Sequence, residues 1–352
     1  MATSDPGGFD KARHIRYWQR CHRSILPIYY TPQDSIRLTL SFFILSALDV
    51  LSPSSDPTSN PNAAPLITDA DRRTIRSFVL SLKHPAGALA AADGNDDDAA
   101  GAFAHVDREG TLRWLRTLQR PDGSFGEVVD AQGNVQGGRD MRCCYLAATI
   151  RWCLRGDVAE GDDGWVEDID VEGLIRHVRQ AQTYDGGMAE SSQHESHAGY
   201  AYCGVAALAL LERPLAESST RPAPAVKPGI PSIPALLKFL ACRQFAYIEA
   251  ADSESEEEDL ETGNYVEGKP GPLSCDPDAL CVGYNGRWNK NADTTPEAPD
   301  VYHAYLGLAA LAIMDESPDE ARQLKPFDAE LCASVDTVRK IEKARAGLLR
   351  RR

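Results

Sequence analysis

Residues 118–127 read LQRPDGSFGE, and residues 181–190 read AQTYDGGMAE. Both follow the pattern Q-x-x-D-G-small-apolar-small-E, with Gln119 and Gln182 standing 63 positions apart. A third, partial copy begins at Arg243–Gln244, 62 positions on, and its glycine-rich end returns as GYNGR at 283–287. A period of this length means that one supersecondary unit is stacked several times, because a single unit cannot bury its apolar face alone.

Each copy reads as a turn, with Gly supplying backbone freedom, between two helices of different character. Before the turn lies an amphipathic segment, REGTLRWLRTLQ (108–119) or VEGLIRHVRQAQ (171–182). After it lies an apolar, Ala-rich segment: RDMRCCYLAATIRWCL (139–154), ESHAGYAYCGVAALALL (195–211) and, further on, DVYHAYLGLAALAIM (300–314). A helix that is apolar on nearly all faces is a buried one. Partly polar helices alternating with buried ones imply concentric rings. The expected fold is all-α: an α–α barrel, a toroid of paired inner and outer helices, forming a single domain over 9–350. Runs alternating with a period of two between hairpin turns are lacking, which argues against strands. The interval from the helix end at Lys83 to Gln119 is only 36 residues. That leaves little room for a helix pair, so a closed ring and an incomplete one both stay open.

Charge is unevenly placed. The chain has 352 residues and a net charge of −15. Residues 251–262 (ADSESEEEDLET) hold seven acids and 93–98 (DGNDDD) hold four. The first lies in a segment read as an acidic disordered insertion, 246–282, and the second in a low-complexity loop, 85–105. The Pro-rich stretch 213–235 reads as a linker between helices. A chain this acidic is a poor partner for nucleic acid or an anionic membrane. No apolar run is long enough to span a bilayer, so no stable membrane insertion is expected. The start MATSDPGGFDKARH has no apolar signal region, and nine scattered cysteines without a CxxC suit a reducing compartment. A cytoplasmic location is expected.

Each apolar helix opens on a polar cluster: Asp140 with Arg142, Glu195 with His197, Asp300 with His303. The acids suit helix N-termini as caps. Arg142 and His197 are harder to dismiss, because a cation on an otherwise apolar helix needs a carboxylate or another anion beside it. In a toroid these clusters would share one mouth, which suits a ligand with an anionic head and a greasy tail. The loop GYNGRWNKNADTT (283–295) adds Arg287, Lys290 and Asp293, a guanidinium fork and a point charge of the kind that hold phosphate oxygens.

Taken together, RHIRYWQRC (13–21), DSIRLTLSFFILSALDVL (34–51), the two repeat turns, RDMRCCYLA (139–147), YDGGMAESSQHESHAGYAYCGVAAL (184–208), GYNGRWNKNADT (283–294) and DVYHAYLGLAAL (300–311) resemble the β subunits of protein prenyltransferases, most closely protein geranylgeranyltransferase type I. The resemblance implies an α–α barrel paired with a helical α subunit. It implies transfer of a C20 isoprenoid from geranylgeranyl diphosphate to the Cys of a C-terminal CaaX motif, as on small GTPases. It further implies a Zn2+ ion that turns the acceptor thiol into a thiolate. His197, followed by Ala198 and Gly199, matches the family's diphosphate histidine and the two glycines after it. Arg287, Lys290 and Arg142 match its cationic residues. Asp293 and His303 match the zinc aspartate and histidine. Thr39 matches a small residue that leaves room for the fourth isoprene unit, where farnesyltransferases are expected to carry an aromatic.

The resemblance breaks in two places. The family continues D-T-C-Y after the zinc aspartate, whereas this chain reads Asp293–Thr294–Thr295–Pro296, so Thr295 occupies the place of the thiolate ligand. Only nine residues separate Asp293 from His303, where the family has an inner helix, a loop and an outer helix. The second gap falls at 85–105. Intact motifs on both sides of abrupt losses fit missing coding segments better than scattered decay. Two alternatives to the geranylgeranyl enzyme are a noncatalytic lipid-binding or scaffold subunit and a farnesyltransferase β subunit.

Overall fold

A computed structural model describes residues 9–53, 65–81, 103, 106–215, 222–242, 301–314 and 324–350. The acidic segment 246–282 lies outside the described residues, as does almost all of 85–105. In chain order the elements are α1 (Lys11–Arg23), a 3-10 stretch (Ile28–Ile36), α2 (Arg37–Leu51), α3 (Asp69–Ser81), α4 (Arg108–Thr117), β1 (Val128–Val129), β2 (Val135–Gln136), α5 (Met141–Leu154), α6 (Val171–Gln180), α7 (Ala198–Glu212), α8 (Val226–Gly229), α9 (Ile233–Ala241), α10 (Val301–Met314), β3 (Phe327–Asp328), β4 (Ala333–Ser334) and α11 (Val335–Arg350). The all-α expectation holds. Among the described residues the strands are two minimal hairpins, β1–β2 and β3–β4, too short for a period-two pattern to register. The 213–235 stretch is more than a linker: α8 forms within it and α9 begins there. Its first amides are held by Glu212, whose carboxylate accepts from the N–H groups of Ala225 and Val226, both at 2.7 Å.

The chain divides into two compact units, Met1–Ile67 with Lys238–Pro326, and Thr68–Leu237 with Phe327–Arg352. In the first, α2 packs against both α1 and α10. Asp10 caps α1 by accepting from the Arg13 N–H at 2.9 Å. Phe43 meets Tyr302 edge-on at 5.2 Å and lies tilted against Tyr305 at 5.4 Å.

The second unit shows why the repeat has the sequence it has. The amphipathic helices α4 and α6 are each capped by an Asp, Asp107 and Asp170. Each leads into the repeat turn, and each turn is followed by an apolar helix, α5 or α7, which pack on one another. Gln119 makes a two-way bond with a backbone 51 residues on: its amide donates to the Asp170 carbonyl at 2.8 Å, and its oxygen accepts from the Asp170 N–H at 2.7 Å. Gln182 does the same to Ser232, at 2.9 and 2.8 Å. Both receiving residues immediately precede an outer helix. The turn glycine then lies flat on the first turn of that helix. A Cβ on Gly123 would sit 1.9 Å from the Gly173 carbonyl oxygen, and one on Gly186 would sit 2.5 Å from that of Ala235. Positive φ angles of 89° and 91° complete the case for glycine.

The C-terminal segment covers the far ends of α5 and α7. Leu331, Ala333 and Val338 join Ala148, Trp152, Ala207 and Leu210 in one core cluster. The Trp152 ring lies between two guanidinium groups, Arg213 at 4.6 Å and Arg345 at 3.8 Å, and its indole N–H donates to the Pro214 carbonyl. At the end of α5, Arg108 donates to the carbonyls of Leu154 and Arg155, which have no partner within the helix.

Replacing Gln182 with Leu keeps the bulk of the side chain but strips both backbone groups of Ser232 of their partner. The expected loss is about 2 kcal/mol of stability, read as a lower urea midpoint with an unchanged slope. An unchanged midpoint would show that the clamp adds nothing.

Candidate functional site: the polar starts of the inner helices

In the second unit, α5 and α7 begin with the residues singled out by sequence. Asp140 is the N-cap of α5, accepting from the Arg142 N–H at 2.8 Å. Its carboxylate also receives the Arg142 guanidinium, with Nε at 3.0 and 2.9 Å from its two oxygens and Nη2 bonded as well. The carboxylate that Arg142 needs is therefore its own helix cap. The Asp140 side chain is 12% exposed and that of Arg142 is 67% exposed, so the pair presents its cationic side to solvent.

The start of α7 differs from expectation. The cap is His197, not Glu195: its ring Nδ1 accepts from the Gly199 N–H at 2.9 Å. With Nδ1 accepting, the neutral ring carries its proton on Nε2. Ala198 and Gly199 are the first residues of α7, and the ring of Tyr200 lies 5.5 Å from that of His197. Burial first, then the carboxylates of Asp140 and Glu190, raise the Tyr200 phenol above its ordinary pKa. Tyr200 thus ties the two helix starts to one electrostatic neighbourhood.

Below these starts, the inner helices are not buried all round. On α5 the exposed Leu146 (55%) lies one turn beyond Arg142, and on α7 Tyr202 (37%) lies one turn beyond Ala198. The Tyr202 hydroxyl donates to the Ala329 carbonyl at 2.9 Å. Each helix therefore keeps one accessible, largely apolar stripe leading away from a polar start.

In the first unit, α10 is described only from Val301 on, so Asp300 lies outside the described residues. His303 is the third residue of α10 and half-buried, with its ring 4.9 Å from that of Tyr302. Tyr302, Ile313 and Met314 are exposed along α10. Thr39 is exposed on the first turn of α2, one turn ahead of Phe43, which Tyr302 touches. The hydroxyl of the buried Tyr30 accepts from the Val301 N–H at 2.8 Å and so fixes the start of α10. Arg287, Lys290, Asp293 and Thr295 lie outside the described residues.

The cysteines around the α5–α7 starts are thiols, not thiolates. Burial pushes Cys203 and Cys144 each up to about 12 and raises Cys143 as well. Among the described residues no group of three His, Cys, Asp or Glu side chains is placed to hold a metal ion. Zinc needs three or four protein ligands. Of the residues matched to the family's zinc set, only His303 is among the described residues, and Thr295 stands in the sequence where the thiolate ligand is expected.

The family model for the prenyltransferase alpha-alpha toroid domain matches residues 9–295 and 292–333. The chain belongs to this family. Its relatives are β subunits of protein prenyltransferases. It is 28% identical over 226 residues to the protein farnesyltransferase subunit beta of Schizosaccharomyces pombe, covering 60% of this chain and 52% of that one. It is 28% identical over 242 residues to the geranylgeranyl transferase type-1 subunit beta of Arabidopsis thaliana, covering 60% and 59%. The chain thus spans about half the length of the curated relatives it matches. A solved structure of Candida albicans protein geranylgeranyltransferase-I complexed with GGPP superposes with a TM-score of 0.59 at 18% identity, covering 96% of this chain and 99% of that one. That likeness fixes the toroid fold.

Maleimide labelling of the native protein at pH 8, read by peptide mass spectrometry, should modify the exposed Cys242 and leave Cys144 and Cys203 unmodified, because a buried thiol with its pKa near 12 holds almost no thiolate. Rapid labelling of Cys203 would refute this account of the helix starts.

Proposed function

We infer that the chain is the β subunit of a protein geranylgeranyltransferase of type I, acting with a prenyltransferase α subunit on CaaX-ending small GTPases. Its own residues contribute the site for geranylgeranyl diphosphate. The observation that carries the reading is the α5 start. A largely exposed guanidinium, held by its helix cap, stands at the head of a helix whose accessible stripe is apolar. A diphosphate head with a hydrocarbon tail matches both parts.

In this reading Arg142 meets the diphosphate through a guanidinium already oriented by Asp140, and charge builds on the departing oxygens beside it. The start of α7 favours the anion further through the positive end of the helix dipole. Arg287 and Lys290 add cationic donors. The apolar stripes of α5 and α7 suit the isoprenoid, and Thr39, by the family match, stands at a position that is small where the substrate is C20.

A second reading rests on the ligand set. With Thr295 in place of the thiolate ligand, the chain binds the isoprenoid diphosphate without transferring it. Zinc analysis of the assembled α–β enzyme separates the two. About one zinc per chain, with prenylation of a CaaX peptide ending in Leu, supports the catalytic reading. A folded heterodimer free of zinc removes it.

Arg142→Ala should weaken geranylgeranyl diphosphate binding by roughly tenfold or more, since a charged hydrogen-bond donor is lost. Thr39→Trp should shift the preference from C20 towards C15 diphosphate by roughly tenfold, the scale set by filling an apolar pocket. Competition of the two diphosphates for a fluorescent isoprenoid probe measures both. Equal C15 and C20 affinities in the wild type would count against the geranylgeranyl assignment.

A further inference from the structure

The two repeat copies act as controls for one another. In the second copy, seven positions separate Glu190 from the cap His197. In the first, thirteen separate Glu127 from the cap Asp140, and the β1–β2 hairpin fills the difference. Both copies share one anchor for the residue just before the cap. Arg139 donates through Nε to Asp122 at 2.6 Å, and Ser196 donates through its hydroxyl to Asp185 at 2.6 Å. In the second copy the rest of the approach is pinned by its own backbone, with the His197 N–H donating to the Met188 carbonyl at 2.9 Å.

The longer approach of the first copy has a further device. Arg120 occupies the position that is Thr183 in the second copy. Its Nη2 donates to the Gly137 carbonyl at 2.7 Å and its Nη1 to the Gly138 carbonyl at 2.9 Å. The rigid guanidinium fork spans two successive carbonyls, which a shorter or single-point donor cannot do. Arg139 follows directly, then Asp140 and, two residues on, Arg142. Three consecutive residues before the cap are therefore tied back to the repeat turn, two by Arg120 and one by Asp122.

We propose that Arg120 is a positioning residue: its fork fixes residues 137–139 so that the Asp140–Arg142 pair is held in place at the start of α5. It works through backbone carbonyls, not by meeting the ligand. This rests on the reading of Arg142 as a diphosphate-binding residue. The substitution that tests it is Arg120→Lys, which keeps the charge and loses the fork, alongside Arg120→Met, which loses both.

Two measurements on the full chain decide the matter. Hydrogen exchange at the amides of residues 137–143 should speed up in both variants, while the equivalent amides ahead of α7 stay as in the wild type. Geranylgeranyl diphosphate affinity should fall roughly tenfold in both, with geranylgeraniol, which lacks the diphosphate, bound as before. If Arg120→Lys binds the diphosphate like the wild type, Arg120 acts by charge alone and the proposal fails. It also fails if exchange at 137–143 is unchanged in Arg120→Met, or if affinity for both ligands falls together, as a merely structural loss would produce. A wild-type chain that binds neither ligand would overturn the functional reading instead, leaving the exchange result to decide whether the fork orders the approach.

Discussion

In the two described repeat turns, a glutamine side chain ties one helix pair to the next. Gln119 and Gln182 each satisfy both the N–H and the C=O of a residue that precedes the next outer helix. Those backbone groups sit where a chain enters a helix, and once buried they need partners. An amide is the one neutral side-chain group that offers a donor and an acceptor side by side, so Gln fits a peptide unit as a second strand would. The glycine four positions later follows from the same contact. Once the turn is pulled onto the next helix, no Cβ fits between Gly123 and the Gly173 carbonyl or between Gly186 and the Ala235 carbonyl. The Q-x-x-D-G pattern is therefore a docking motif between neighbouring repeats. It is preserved because both ends of the contact are fixed.

With the outer helices locked in this way, the inner helices are free to be almost featureless. α5 and α7 carry few polar side chains beyond their first turns, and what specificity they have is concentrated at those starts. Asp140 serves as helix cap and as counter-ion to Arg142, so one carboxylate both begins the helix and aims the cation. His197 caps α7 through its ring Nδ1. The far ends are sealed by the C-terminal segment, with Trp152 held between Arg213 and Arg345. In the α5–α7 pair, one end is for packing and the other is for chemistry.

What could be read from sequence follows from this division. The apolar runs at 141–154, 198–212 and 301–314 were legible because nothing but burial explains them, and the turns were legible because they recur. Arg142 stood out because a cation on such a run demands an explanation. Its partner, Asp140, suggests only a helix cap in the sequence, and the structure adds the ion pair. Arg120 and the glutamine clamps were not legible, because their partners are backbone carbonyls and amides, which carry no signature in a sequence and, for the glutamines, lie some 50 residues off. The capping role of His197 was hidden by Glu195, the more usual residue type for a helix start. The order in 222–235 was missed because Pro suggests a linker, whereas Glu212 supplies the carboxylate that starts α8.

The overall charge also loses its force as a guide to the ligand. Eleven acids belong to the segments 93–98 and 251–262, which lie outside the described residues. What a ligand meets at the start of α5 is set by the groups within a few ångströms. There, Asp140 is mostly covered and already bonded to Arg142, while the guanidinium faces outward. A buried carboxylate that holds an exposed cation lowers the net charge of the chain, yet it makes the local surface better suited to an anion, because the cation is fixed in place before the ligand arrives. The acidity of the whole chain and an anionic ligand are compatible for this reason, and the same arrangement explains why the residues that hold the approach to Asp140 matter as much as Arg142 itself.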